Sequence, residues 1–65
     1  MIVNGVAYNV LWARFKVGTS LFLPCLKAEE ARQEVIEVTS RLGFKVQMKL
    51  VVEEGIRGLR VWRVR

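Results

Sequence analysis

Sixty-five residues are enough for one domain and exclude a second, and a chain this short buries only about 60% of the surface its unfolded form exposes. A composition of 52% apolar and 26% charged residues excludes disorder, collagen and low-complexity sequence. The net charge of +5 makes a polyanion the first partner to consider, while the absence of His and Asp and the single cysteine, Cys25, remove an internal disulfide, a four-ligand zinc site and the usual catalytic triads.

The first 26 residues carry Arg14 and Lys16 and no acid. Met1 to Ala13 is uncharged but contains Asn4, Gly5 and Asn9, and it falls short of the roughly 18 to 20 apolar residues a membrane span needs. No cationic region precedes it, so neither membrane insertion nor secretion is expected. Asn4-Gly5 is a hairpin-turn dipeptide with a very short strand, Met1 to Val3, on one side. Tyr8 to Val17 is rich in strand formers, Gly18-Thr19-Ser20 reads as a turn, and Leu21 to Leu23 reads as a short buried strand ended by Pro24.

From Lys27 to Leu42 the apolar residues Ala31, Val35, Val38 and Leu42 recur at intervals of four, three and four, which predicts a helix of about 24 Å with one buried stripe. Glu29 and Glu30 lie in its first turn and Arg41 in its last, where the helix dipole favours each sign, and Gly43 is a left-handed C-terminal cap. No Ser, Thr, Asp or Asn stands at the start as an N-cap.

After Gly43 the period changes to two. Phe44, Val46, Met48, Leu50 and Val52 alternate with Lys45, Gln47, Lys49, Val51 and Glu53, and a second strand, Ile56 to Arg65, follows the turn Glu54-Gly55. A two-residue loop pairs Glu53 with Ile56. Leu50 then faces Leu59 and Met48 faces Val61 on one side, while Lys49 faces Arg60, Gln47 faces Trp62 and Lys45 faces Val64 on the other. A three-residue loop would invert the parity, bury Trp62 and Val64 and strand Arg60 against the core, so the two-residue loop is preferred.

The resulting fold class is α+β, a single helix packed on an antiparallel-rich sheet of about four strands in the order β-β-α-β-β. One helix covers one sheet face. The other is expected to expose Trp62 and Val64, with part of Tyr8, Val10 and Trp12, more apolar surface than a small monomer leaves in water. A bound partner or a second copy of the chain would cover it.

The run Val17-Gly18-Thr19-Ser20-Leu21-Phe22-Leu23-Pro24, the helix, Gly43-Phe44-Lys45 and then Gly58-Leu59-Arg60-Val61-Trp62-Arg63 resembles a group of short bacteriophage proteins with a G-x-S-[FL]-F-[VL]-P segment and a G-[VL]-R-V-W-R ending. The resemblance covers roughly residues 15–65. It implies a phage accessory protein in the cytoplasm of the host cell, a location that a lone thiol also fits, and it supplies no active site.

Catalysis lacks parts. No His titrates near neutral pH, Glu53 and Glu54 flank a turn and point apart, and Glu30, Glu34 and Glu37 form a solvated helix face with Arg41 placed to pair with Glu37. Cys25 reads as a small buried residue rather than an activated thiol, and Ser20, without a general base, as a turn residue. The glycines form neither a dinucleotide fingerprint nor a P-loop, so no cofactor is implied. The expectation is a protein that is not an enzyme.

The basic hairpin remains. Residues 43–65 hold six bases against two acids. Lys45, Gln47, Lys49, Arg60 and Trp62 on one sheet face would make a platform on which cations neutralise phosphates and an indole stacks on an unpaired base. Arg63, Arg65 and Arg57 alternate to the other side, where they would rim the helix or touch a duplex backbone. Nucleic-acid binding is the expected function. The alternative is a protein-protein module, such as an inhibitor of a host protein, that uses the same face with its Trp and Arg and acts as a homodimer.

Overall fold

The structure is a computed structural model that describes all 65 residues. Strands β1 (Ile2–Val3) and β2 (Val6–Ala7) form a ribbon, and a 3₁₀ turn covers Trp12–Arg14. Strand β3 (Ser20–Pro24), helix α1 (Ala28–Arg41) and strands β4 (Val46–Glu53) and β5 (Ile56–Arg63) follow. The main sheet is antiparallel throughout, with β5 between β3 and β4. This is the α+β class expected, with the helix on one sheet face, although the strands divide into a three-stranded sheet and a two-stranded ribbon instead of one sheet of about four.

The hairpin has the register of the two-residue loop: Glu53 opposes Ile56, Lys49 opposes Arg60 and Gln47 opposes Trp62. Its turn has positive φ at both Glu54 and Gly55, the type I′ geometry whose twist matches that of the flanking strands. The helix ends as its sequence requires. Gly43 adopts φ +76°, its N–H donates to Ser40 O, and Phe44 N–H donates to Thr39 O, the paired bonds of a Schellman cap.

The helix is rotated slightly from the predicted stripe. Ala31, Val35 and Thr39 are buried, whereas Leu42 is 44% exposed. Thr39 can occupy a core position because its hydroxyl donates to Val35 O at 2.8 Å, so no polar atom is left without a partner. Beneath the helix lie Leu23, Leu59 and Val61, joined by Val3 from the ribbon and Phe15 from the segment after it.

Tyr8 to Val17 does not form the strand its composition suggests. The 3₁₀ turn brings Trp12 and Phe15, three residues apart, onto one side, where they meet Phe44 in edge and tilted contacts at 5.7 to 6.5 Å. Burial of these rings outweighs the strand preference of the segment. Tyr8 and Trp12 therefore pack against the core instead of adding to the uncovered face, and Tyr8 Oη donates to Pro24 O. No helix is long and apolar enough to cross a membrane.

Candidate nucleic-acid interface

Alternation along β4 and β5 puts Gln47, Lys49, Val51 and Glu53 with Gly58, Arg60 and Trp62 on the face away from the helix, and β3 adds Ser20 and Phe22. Trp62 lies between Ser20 on one neighbouring strand and Gln47 on the other. Both are too small or too polar to cover an indole, and Trp62 remains 36% exposed. Lys49 lies two residues from Gln47 on the same face, with no acid in reach.

Arg60 lies on this face but its charge is compensated. Its guanidinium forms a two-pronged ion pair with Glu53, a residue the sequence assigns to turn solvation, and it also reaches Ser20 Oγ at 3.3 Å. The bonds to Glu53 raise its pKa further. It stands 5.5 Å from the centre of the Phe22 ring. Glu53 thus neutralises Arg60, while Lys49 opposite it on β4 keeps its charge.

The remaining candidates gather at one end of the sheet. Arg63 turns to the helix side, where its guanidinium lies over the Phe44 ring at 3.6 Å and donates to Phe15 O at 2.9 Å and Arg65 O at 3.1 Å. Lys45 and Arg65 are joined through their backbones, because Lys45 O accepts from both Val64 and Arg65, and Lys45 N–H donates to Arg65 O. Two residues oppose one there, a bulge that ends the simple pairing of Lys45 with Val64.

The same end collects two cations that hairpin reasoning omits. Arg14 and Lys16 flank Phe15, whose carbonyl holds Arg63, and the loop after them is pinned by Gly18 N–H to Arg63 O and Arg63 N–H to Thr19 O. In the sequence they lie more than forty residues from the hairpin, and only the aromatic spacing Trp12-x-x-Phe15 signals that their segment folds onto the core.

Charge is therefore segregated along the strands. Arg14, Lys16, Lys45, Arg63 and Arg65 share one end and none has an acid partner, while Arg41 beside them is paired with Glu37. Glu53 and Glu54 occupy the hairpin tip at the other end, and the start of α1 with Glu29 and Glu30 lies there too, because β3 delivers the chain to it beside Gly58 and Arg57. A field of one sign over one end, with an exposed indole at its margin, can attract and hold a phosphate chain. Neither end gathers three Cys or Glu side chains for a metal ion.

Cys25 is buried, and burial pushes its thiol pKa up against the opposing effects of a backbone hydrogen bond from Leu59 and of Arg57. That environment favours the neutral thiol over the nucleophilic thiolate.

No protein-family model matches this chain, and neither a curated protein nor a solved structure is similar enough to count as a match.

Proposed function

We propose that the protein binds nucleic acid, as a single strand or along the phosphate backbone, at the basic end of its sheet. The observation that carries this reading is the placement of Trp62 between Ser20 and Gln47 beside five cations that no acid compensates. Lys45, Arg65, Lys16 and Arg14 would neutralise phosphates and release their counterions, Trp62 would stack on a base, and Gln47 would hydrogen-bond it. Arg63, held over Phe44, adds charge without moving. Lys49 extends the track along the face. Arg60, already engaged by Glu53, contributes least.

The resemblance to short phage proteins supports an accessory role in the host cytoplasm.

The test is fluorescence anisotropy with a labelled single-stranded oligonucleotide across a salt series. With four or five phosphates contacted, log K should fall with log salt at a slope of about −3. Trp62→Ala should weaken binding by about 1 to 3 kcal/mol. Absence of binding at low salt, or affinity indifferent to salt, removes this reading.

A protein partner on the same face is the second reading. The neutral Arg60–Glu53 pair favours it, together with the exposed Ile56 that follows them toward the hairpin tip. Capture from host lysate that survives nuclease treatment, with no affinity for the oligonucleotide, would establish it.

A further inference from the structure

The two edges of the main sheet are finished differently. On β3 the outward positions are Ser20, Phe22 and Pro24. Pro24 has no N–H to offer, its carbonyl is taken by Tyr8 Oη at 2.8 Å, and the segment from Tyr8 to Lys16 runs alongside until Lys16 O meets Thr19 N–H. That edge is blunted and strapped. On β4 nothing comparable occurs. The bond from Val64 N–H to Lys45 O sets the parity, so the odd residues of β4 bond to β5 and the N–H and C=O groups of Val46, Met48, Leu50 and Val52 turn outward, with no backbone partner. The strand is eight residues long, and its helix-side residues Leu50 and Val52 are 40% and 68% exposed. A long edge of this kind is a template for a further strand.

We infer that the β4 edge pairs antiparallel with the β4 edge of a second copy, with Val51 on the two-fold axis. The side chains select this register. Centred on Lys49, the pairing would set like charges directly opposite each other at the closest approach, which is unfavourable. Centred on Leu50, it would set Lys49 against Val51 and Glu53 against Gln47. Centred on Val51, it places Lys49 opposite the partner's Glu53 twice, and Leu50 opposite the partner's Val52 twice, covering the two most exposed apolar residues of the strand. Glu53 would then sit between Arg60 of its own chain and the partner's Lys49.

The arrangement also suits the charge distribution. The axis passes near the acidic hairpin tip, so the two basic ends lie at opposite extremes of a continuous six-stranded sheet instead of against each other. A two-fold axis perpendicular to the sheet puts both helices on one face and both Trp62 side chains on the other. With strands about 4.8 Å apart and about 3.4 Å per residue, the two indoles are about 30 Å apart. The pairing is independent of the nucleic-acid reading, and either can stand without the other.

Light scattering and sedimentation of the full chain test it. The mass should rise from 7.5 kDa toward twice that value between low-micromolar and near-millimolar concentration. Val51→Cys should form a disulfide-linked dimer on mild oxidation, since residues facing each other across an axis at a non-hydrogen-bonded position have the spacing a disulfide needs, and Cys25 is too buried to compete. Met48→Cys should not. Lys49→Glu should weaken association about tenfold, and Lys49→Glu combined with Glu53→Lys should restore it. Circular dichroism of each variant separates lost pairing from lost folding. A native chain that stays at 7.5 kDa throughout overturns the inference, as does a dimer that Met48→Cys links more readily than Val51→Cys.

Discussion

The ring of Phe22 lies across Gly58. A Cβ placed on Gly58 would come within 2.8 Å of Phe22 Cζ and of Pro24 Cα, and would press on the carbonyl of Leu23. Two of the three obstacles are backbone atoms of a paired strand and cannot swing aside. Gly58→Ala should therefore destabilise the fold by about 2 to 3 kcal/mol, read from denaturant unfolding. An unchanged midpoint would mean that β3 can shift outward, which its bonds to β5 oppose.

The helix start is secured from a distance. Asn4 Oδ1 accepts from Leu26 N–H at 3.1 Å and Lys27 N–H at 2.8 Å, its Nδ2 donates to Lys27 O at 3.1 Å, and its backbone N–H donates to Glu34 at 2.9 Å. One side chain thus ties the ribbon to the chain entering α1, which has no cap of its own. Asn4 also has φ +51°, a conformation Asn tolerates and most residues do not. Asn4→Ala should cost about 1 to 2 kcal/mol and shift protection from hydrogen exchange most at residues 26–28. Asn4→Asp should retain more of that stability than Ala, since the acceptor survives.

Periodicity made the helix and the hairpin legible. Ala31 and Val35 at helical spacing marked the buried stripe, Gly43 marked its end, and the alternation from Val46 to Glu53 with the Glu54-Gly55 turn was enough to write the register that pairs Gln47 with Trp62. Long-range relationships were not legible. Nothing local tells that Asn4 serves residues 26 and 27, or that Thr39 replaces Leu42 in the core. Tyr8 to Val17 has strand-forming residues, and its real determinant, the meeting of Trp12 and Phe15 with Phe44, is a tertiary event. The candidate site follows the same division: Trp62, Gln47 and Lys49 came from alternation, whereas the loss of Arg60 to Glu53 and the arrival of Arg14 and Lys16 depend on packing between distant segments.

Charge reversal at the two ends of the sheet should have unequal effects. Lys16→Glu and Lys45→Glu each change the charge at the basic end by two, and each should weaken oligonucleotide binding several-fold and flatten the salt slope by about one. Arg57→Glu makes the same change in net charge beside the hairpin tip and should alter affinity little. Equal losses in all three would show that only the total charge matters, and would dissociate binding from the Trp62 end.

Arg63 combines two roles that measurement can separate. Its contact with the Phe44 ring and its bond to Phe15 O join β5 to the aromatic cluster, so Arg63→Ala should lower stability by about 1 to 3 kcal/mol in thermal unfolding. Arg65→Ala removes an exposed cation from the same end and should leave stability within about 0.5 kcal/mol of the native protein while weakening oligonucleotide binding. Arg63→Lys keeps the charge but lacks the planar fork that lies on the ring and bonds Phe15 at once, so it should retain binding better than it retains stability.

The buried thiol gives a pH dependence of known sign. Folding holds the Cys25 pKa above its ordinary value, mainly through desolvation, so the folded state favours the protonated thiol. Below the ordinary thiol pKa, both folded and unfolded chains keep the proton and the full contribution to stability is present. As pH rises past that value the unfolded chain ionises first, and the contribution is lost progressively until the raised pKa of the folded state is reached. Unfolding free energy should therefore decline from about pH 8.5 upward in the native protein, and Cys25→Ala, although less stable at neutral pH for want of the sulfur's packing, should show a flatter decline over the same window. Parallel curves for the two proteins would mean that the alkaline loss arises elsewhere. Alkylation provides the kinetic counterpart: iodoacetamide should react with Cys25 far more slowly than with a free thiol, at a rate that tracks opening of the fold and not exposure of the native surface.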